Sequence, residues 1–459
     1  MADIHNLHTL SAELLNKYNV NGPRYTSYPT ALEFNQAFNN EEFEVAVGNS
    51  TSKNLSLYIH IPFCHSLCYY CGCNKIVTRH RHKADEYLDY LEKEISARAK
   101  LFAKHQVQQV HLGGGTPSYL SKLQFSRLVN KLKSAFAFKN EIEMSIEIDP
   151  REIEIDLLDH LKSLGFNRLS FGVQDVNLEV QEAINRVQDT DFLAQLLARA
   201  KELSFDSVNL DLIYGLPHQT ETLFNNTLNK VIELNPDRIS LFSYAHLPSR
   251  FAAQRKIKDH WLPSSNDKLK LMLNAIEFLT NQGYVAIGMD HFAKPNDELA
   301  IAQKQGELHR NFQGYTTQGE CDLLGLGVSS ISSVGNSFSQ NYKQLREYYF
   351  AIDVYEDAIE KGLLLDRDDK IRGAVIKQLM CNFKLDKQHI NTSLNIDFDA
   401  YFAEELAKLS PFIEDGLIDI TNTEIVIKPQ AKLLIRNIAM TFDAYMAKQL
   451  NQQRFSRVI

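Results

Sequence analysis

Short apolar or β-branched runs alternate along the chain with longer stretches whose apolar residues recur at helical spacing. Runs at 55–61 (LSLYIHI), 107–112 (VQQVHL), 142–148 (IEMSIEI), 167–173 (NRLSFGV), 207–213 (SVNLDLI) and 237–243 (DRISLFS) predict strands, each followed by a helical pattern. Regular strand–helix repetition implies parallel strands joined by right-handed crossovers. The expected fold is therefore α/β, and six units fit a partial (β/α)6 barrel better than a complete eight-unit one; a doubly wound open sheet is the alternative. A further strand is expected at 284–290, and 322–334 (DLLGLGVSSISSV) reads as a packed, glycine-kinked segment. From 365 to 459 the pattern becomes mainly helical, with a short strand pair near 417–427, as in a small winged-helix-like domain. Residues 1–35 read as an arm, because Pro23-Arg24-Tyr25-Thr26-Ser27-Tyr28-Pro29 suits an extended segment laid on a surface. The expected division is thus an arm at 1–35, a barrel with extension at 36–364 and a C-terminal domain at 365–459.

Length and charge narrow the function classes. The 459 residues are enough for two or three folding units, and 44% hydrophobic with 23% charged residues is ordinary globular usage. The net charge of -8 argues against nucleic acid and anionic membrane as partners, even with a winged-helix-like tail, so an anionic ligand must meet local positive charge. No run reaches the roughly 18 apolar residues of a membrane span, and the start, with Asp3 and Glu13, lacks the basic-then-apolar layout of a signal peptide. A cytoplasmic monomer is expected.

Of six cysteines, Cys64, Cys68, Cys71 and Cys73 fall within ten residues, directly after the first expected strand. Such clustering points to a metal site rather than a disulfide framework. A structural zinc site normally takes four ligands as two separated close pairs, and the second pair is missing here. Iron–sulfur clusters also usually take four cysteines, so the spacing Cys64-x3-Cys68-x2-Cys71 implies iron with an open position.

Tyr58-Ile59-His60-Ile61-Pro62-Phe63-Cys64-x3-Cys68-x2-Cys71 resembles the cluster loop of radical S-adenosylmethionine (SAM) enzymes, and specifically of the oxygen-independent coproporphyrinogen III oxidase (dehydrogenase) family. The resemblance implies a [4Fe-4S] cluster on Cys64, Cys68 and Cys71, with SAM on the fourth iron. Cys73 is similar to the true oxidases rather than to their haem-trafficking relatives, though it need not ligate iron.

The second strand ends in Gly113-Gly114-Gly115-Thr116-Pro117. Residues without side chains allow a ligand close to the backbone, and the Gly-Lys-Ser/Thr ending of a phosphate loop is absent. By resemblance, Gly114, Gly115 and Thr116 contact the methionyl part of SAM, and Glu147 binds a SAM hydroxyl or amino group. Tyr58, Tyr70 and Ile331 match further SAM-contact positions. Gln174, Arg186 (in the helix after the fourth strand), Asp211 and Ala245 match positions associated with a second SAM, and Phe312 with Gln313 borders it.

The implied substrate, coproporphyrinogen III, is a disc bearing four carboxylates. Arg24 is the candidate to hold one bidentately; the run Thr78-Arg79-His80-Arg81-His82-Lys83 reads better as a solvated basic face. Tyr58, Arg24, His60 and Gln313 complete the candidate catalytic set, His60 and His291 being equally readable as structural histidines. The implied reaction is decarboxylation of two propionates to vinyl groups, giving protoporphyrinogen IX with two SAM consumed and a reduced protein as electron donor. The alternatives are a haem-delivering relative that performs no decarboxylation and a zinc-containing structural protein.

Overall fold

The computed structural model describes residues 12–446. Asp3, residues 1–11 of the expected arm and residues 447–459 of the expected C-terminal domain lie outside the described residues. The chain packs as two compact units, one of Phe34–Leu271 with Glu320–Leu364, the other of the chain up to Glu33 with Met272–Gly319 and Leu365 onward.

The larger unit contains all six expected strands: β1 (Asn54–Ile61), β2 (Gln106–Gly114), β3 (Ala137–Ile148), β4 (Arg168–Gln174), β5 (Ser207–Tyr214) and β6 (Arg238–Ser243). Between them run α1 (His82–Leu101), α2 (Lys122–Ala135), α3 (Leu157–Leu164), α4 (Leu178–Ala183), α5 (Thr190–Glu202) and α6 (Glu221–Leu234). Strands β1 to β6 pair in sequence order, all parallel. In β1, Leu55, Leu57, Ile59 and Ile61 are fully buried, and Ser56 and His60 on the opposite face are buried too, as expected of a parallel strand covered on both sides. Helix α1 turns Ala84, Tyr87, Leu88, Leu91 and Ile95 inward at helical spacing. Helix α2 starts at a capping box made by Ser121 and Gln124, and α3 ends where Gly165 takes a left-handed conformation, φ 103°.

The glycine-kinked segment at 322–334 resolves into two strands, β7 (Asp322–Leu326) and β8 (Ile331–Val334). Strand β7 lies parallel beside β1, a seventh parallel strand beyond the six read from periodicity. Strands β8, β9 (Ser337–Asn341) and β10 (Ile359–Leu364) then extend the sheet antiparallel. The β7–β8 turn is knotted to α1 by buried Glu94, whose carboxylate accepts from Gly327 N (2.7 Å), Asn341 Nδ2 (2.7 Å) and Tyr348 Oη (2.7 Å). Tyr87 Oη accepts from Val328 N at 3.0 Å and donates to the His60 carbonyl at 2.7 Å. Thus α1 fixes the end of β1, where the cysteine loop begins.

Residues 272–319, which periodicity alone leaves with the barrel, pack in the smaller unit. The reason is a shared apolar core: Ile287, Ala293, Leu299, Ala302, Leu308 and Tyr315 pack with Cys381. The expected strand at 284–290 is confined to Val285–Ile287; the chain turns at Gly288 (φ 69°) and returns as His291–Ala293. A Cβ on Gly288 would strike the Tyr315 ring. The expected strand pair near 417–427 is Ile418–Ile420 with Glu424–Ile427, joined by a third strand, Lys384–Asp386. In the same unit, Arg436 Nε donates to the Pro23 carbonyl (2.8 Å), Arg310 Nη1 to the Arg24 carbonyl (2.9 Å) and Tyr25 Oη to Asp443 (2.9 Å). No helix among the described residues is long and apolar enough to cross a membrane.

Candidate functional site

The cysteine loop leaves β1 at the C-terminal end of the parallel strands, where barrels of this type place their chemistry. Its start is held by a short parallel pairing of Phe63–Cys64 with Ile76–Val77. Its middle is tied by Asn185 Nδ2 to the Leu67 carbonyl (2.7 Å), Tyr69 N to the Ile184 carbonyl (2.9 Å) and Gln254 Nε2 to the Tyr70 carbonyl (2.9 Å). Lys75 Nζ donates to the Cys71 carbonyl at 2.9 Å.

All three candidate iron ligands are free thiols; Cys64 and Cys68 are buried and Cys71 is partly so. Among the described residues no three His, Cys, Asp or Glu side chains are grouped to hold a single metal ion. A cubane cluster makes a different demand, since each thiolate binds its own iron, and three soft thiols on one loop fit it. Burial pushes the Cys64 thiol up to about 11, with Thr116 Oγ1 hydrogen-bonded to its sulfur at 3.3 Å. A hydrogen bond from Cys73 lowers Cys71, against burial and together with Lys75, and raises Cys73.

Cys68 meets two guanidinium groups, Arg151 Nη2 at 3.4 Å and Arg186 Nη1 at 3.5 Å. Asp149 binds both arginines, Arg151 Nη2 at 2.6 Å and Arg186 Nη1 at 3.0 Å. Arg186 lies in the loop past α4 rather than in a helix, because Asn185 takes φ 55° and ends the turn. Its Nη2 donates to the Gly172 carbonyl at 2.7 Å, and a Cβ on Gly172 would come within 2.8 Å of that nitrogen. Arg151 was not among the residues singled out from sequence; its signal was Asp149-Pro150-Arg151, directly after β3. Burial would raise Asp149, but the Arg186 charge and the Arg151 hydrogen bonds outweigh it and hold the carboxyl at about 2. A folded-state value depressed from 3.8 contributes stability present above the unfolded value and lost as pH falls through the folded one. It amounts to about 2 kcal/mol for this buried group. Acid titration followed by circular dichroism is expected to show Asp149→Asn losing that share of pH dependence between about pH 4 and pH 2; a curve parallel to wild type would contradict it.

The glycine run also meets a demand of the chain itself. A Cβ on Gly114 (φ 120°) would lie 2.7 Å from the His60 ring, and one on Gly115 would lie 2.6 Å from the Pro62 carbonyl. The run lets the turn nest against the root of the cysteine loop, and Gly115 N donates to the Ile61 carbonyl at 2.8 Å. On Gly113 a Cβ would press Glu147 and Tyr58, both at 3.1 Å. Glu147 accepts weakly from Gly114 N (3.3 Å) and lies 3.4 Å from His111 Nε2, with its side chain 45% exposed, so its oxygens are accessible at the strand ends.

Tyr58 stacks on His111 and meets His60 Nδ1 at 3.2 Å, while His60 Nε2 meets the Asn74 carbonyl at 3.1 Å. Burial lowers the His60 pKa, so the neutral ring donates through Nε2 and accepts from the Tyr58 hydroxyl through Nδ1. Both ring nitrogens have protein partners, which makes His60 a link between β1 and the far side of the loop. Gln174 sits at a bulge with φ 68°, a conformation that costs energy in a non-glycine residue. Asp211 accepts from Asn209 Nδ2 (2.8 Å) and Ser170 Oγ (3.3 Å). The Ala245 carbonyl accepts from Gln254 Nε2 at 3.1 Å, Tyr70 packs near Ile184 and Tyr244, and Ile331 opens β8.

All these residues belong to the larger unit. Arg24, Phe312 and Gln313 belong to the smaller one. There Gln313 N donates to Asn311 Oδ1 at 2.8 Å while Gln313 Nε2 is buried without a partner among the described residues. Arg24 is exposed. Asp290, bonded to His291 at 2.7 Å, is held well below the usual carboxylate range, because His291, Arg310 and Arg24 together outweigh burial.

Residues 58–231 match the radical SAM superfamily, and residues 365–434 match the HemN C-terminal domain. The oxygen-independent coproporphyrinogen III oxidase of Escherichia coli (strain K12) is 57% identical over 446 residues, covering 97% of this chain and 98% of that protein. The protein of the same name from Helicobacter pylori (strain 26695) is 42% identical over 459 residues, covering 99% of this chain and 100% of the relative. The solved structure of the Escherichia coli coproporphyrinogen III oxidase, described as a radical SAM enzyme, superposes with a TM-score of 0.91 over 92% of this chain and 97% of that one.

Proposed function

We infer the detailed reaction from a premise of kinship: the chain belongs to the oxygen-independent coproporphyrinogen III oxidase family and is a radical SAM oxidoreductase. It decarboxylates two propionate side chains of coproporphyrinogen III to vinyl groups, yielding protoporphyrinogen IX and consuming two SAM. It does so as a cytoplasmic monomer fed by a reduced electron-donor protein. The observation that carries this reading is three free thiols on one loop at the C-terminal ends of parallel strands, beside a glycine turn and an accessible carboxylate.

Cys64, Cys68 and Cys71 would hold a [4Fe-4S] cluster through their thiolates. When bound, the cluster and SAM supply a 5'-deoxyadenosyl radical able to remove a hydrogen from the β-carbon of a propionate. Arg151 and Arg186 offset the negative charge that Cys68 carries as an iron ligand. Gly114, Gly115 and Thr116 line the methionyl side, and Glu147 turns its oxygens to the polar groups of SAM. Tyr58, Tyr70 and Ile331 flank it, while Gln174, Arg186, Asp211 and Ala245 serve a second SAM. His60 and Tyr58 keep the loop and β1 in register, so that the reacting groups are aligned and shielded from water.

Anaerobic incubation of the iron-loaded protein with coproporphyrinogen III, SAM and dithionite tests the reading. Loss of two carboxyl groups per porphyrinogen with matching 5'-deoxyadenosine is expected; SAM cleavage without porphyrin change would refute it. The division into arm, barrel and C-terminal domain gives Arg24 its role, since an exposed guanidinium on an arm suits a carboxylate of the substrate. Arg24→Ala is expected to raise KM for coproporphyrinogen III by about tenfold or more, a loss of 1.5–3 kcal/mol for a charge-assisted contact. Unchanged turnover at limiting substrate would exclude it.

A further inference from the structure

The basic run that follows the cysteine loop has no part in the reading above. Arg79, His80, Arg81, His82 and Lys83 are all exposed. Arg79, Arg81 and Lys83 have no ion-pair partner among the described residues, whereas Arg98, Arg127, Arg151 and Arg186 of the same unit are each bonded to carboxylates. The position of the run is fixed by the loop itself. Ile76 N donates to the Pro62 carbonyl at 2.7 Å and Thr78 N to the Cys64 carbonyl at 3.0 Å, so the cations emerge directly beside a candidate iron ligand. His65, Ser66 and Leu67, from between Cys64 and Cys68, line one open surface depression with Arg79, His80 and Lys83. Arg81 acts electrostatically on His65, whose ring packs 4.4 Å from Tyr119. Glu152, Asp149 and Arg151 also act on His65, and these two carboxylates face the four cations Arg79, Arg81, Lys83 and Arg151 in a chain of net charge -8.

We propose that this face docks an acidic one-electron carrier protein, which gives up one electron and is oxidised by that amount while the cluster accepts it. The proposal rests on the reading of Cys64, Cys68 and Cys71 as cluster ligands. Electron transfer falls steeply with distance, so a carrier must seat where the loop reaches the surface. An acidic protein approaching a chain of like net charge is steered only by a local patch of opposite sign.

The test uses the full iron-loaded chain carrying R79E/R81E/K83E, with reduced flavodoxin as the acidic probe and dithionite as a small reductant. Stopped-flow bleaching of the cluster and the affinity for flavodoxin are both read. With flavodoxin at low ionic strength the variant is expected to be at least about tenfold slower and weaker in binding, and to lose the decline with added salt that wild type shows. Bleaching by dithionite is expected to be unchanged. Equal flavodoxin rates in variant and wild type would overturn the proposal, and so would an equal loss with both reductants. A raised KM for coproporphyrinogen III under dithionite would also overturn it, by assigning the run to substrate. Should the triple variant fail to fold, R79Q/K83Q is expected to give an intermediate loss with flavodoxin alone, and no loss would overturn the proposal. Failure of wild type to bleach with dithionite would overturn the cluster reading instead.

Discussion

Cys68→Ala is expected to lose the brown iron–sulfur chromophore and to reduce SAM cleavage more than about a hundredfold. Loss of an outer partner of a metal ligand costs roughly 10–100-fold, so removal of the ligand itself must exceed that range. Arg151 and Arg186 surround the position with cations that repel a substitute iron. Asp149 still pairs both arginines in the variant, so the fold is expected to survive. Iron and sulfide content measured beside circular dichroism checks this. Full iron content would remove Cys68 from the ligand set. Arg151→Met is the companion, with an expected loss of about tenfold and the chromophore retained.

Gly115→Ala is expected to destabilise the larger unit by on the order of 3 kcal/mol, the upper end for overpacking, and to abolish cluster retention. The added Cβ would lie 2.6 Å from the Pro62 carbonyl oxygen and 2.7 Å from its carbon. Those atoms are backbone, so no side-chain rotation relieves the contact. Shifting Gly115 outward instead breaks its bond to the Ile61 carbonyl, and shifting Pro62 moves the root of the cysteine loop. Gly48, in the helix Asn40–Asn49, is the contrast, because a Cβ there meets nothing within 4 Å. Gly48→Ala is expected to stabilise by about 0.5–1 kcal/mol. Urea unfolding of both variants decides the matter, and equal midpoints would show that the nesting contact carries no weight.

The barrel was legible because its strands are buried on two faces, and continuous apolar runs such as Leu55–Ile61 leave a local signal. The cysteine loop was visible as four cysteines within ten residues, and its cluster reading came from the resemblance. Strand β7 was not legible, since it is only five residues long and Gly325 interrupts its pattern. The strand Lys384–Asp386 shows only one buried residue, Leu385. The partnership of 272–319 with the C-terminal helices rests on pairs such as Gln303 with the Cys381 carbonyl, which have no periodicity to read. At the strand ends, the nesting of Gly114 and Gly115 against His60 and Pro62 leaves no trace in the sequence. A run without side chains looks the same whether a ligand or the chain's own backbone comes close.

The anchoring of the arm bears on the order in which the protein matures during synthesis. The carbonyl of Pro23 waits for Arg436, the hydroxyl of Tyr25 for Asp443, and the carbonyl of Tyr18 for Asn437, separations of 413, 418 and 419 residues. The larger unit has its whole sequence once Leu364 has emerged from the ribosome. The segment bearing Arg24 is thus made long before the residues that secure it. Until residues 436–443 follow, its two prolines and backbone carbonyls lack these partners and are available to chaperones and proteases.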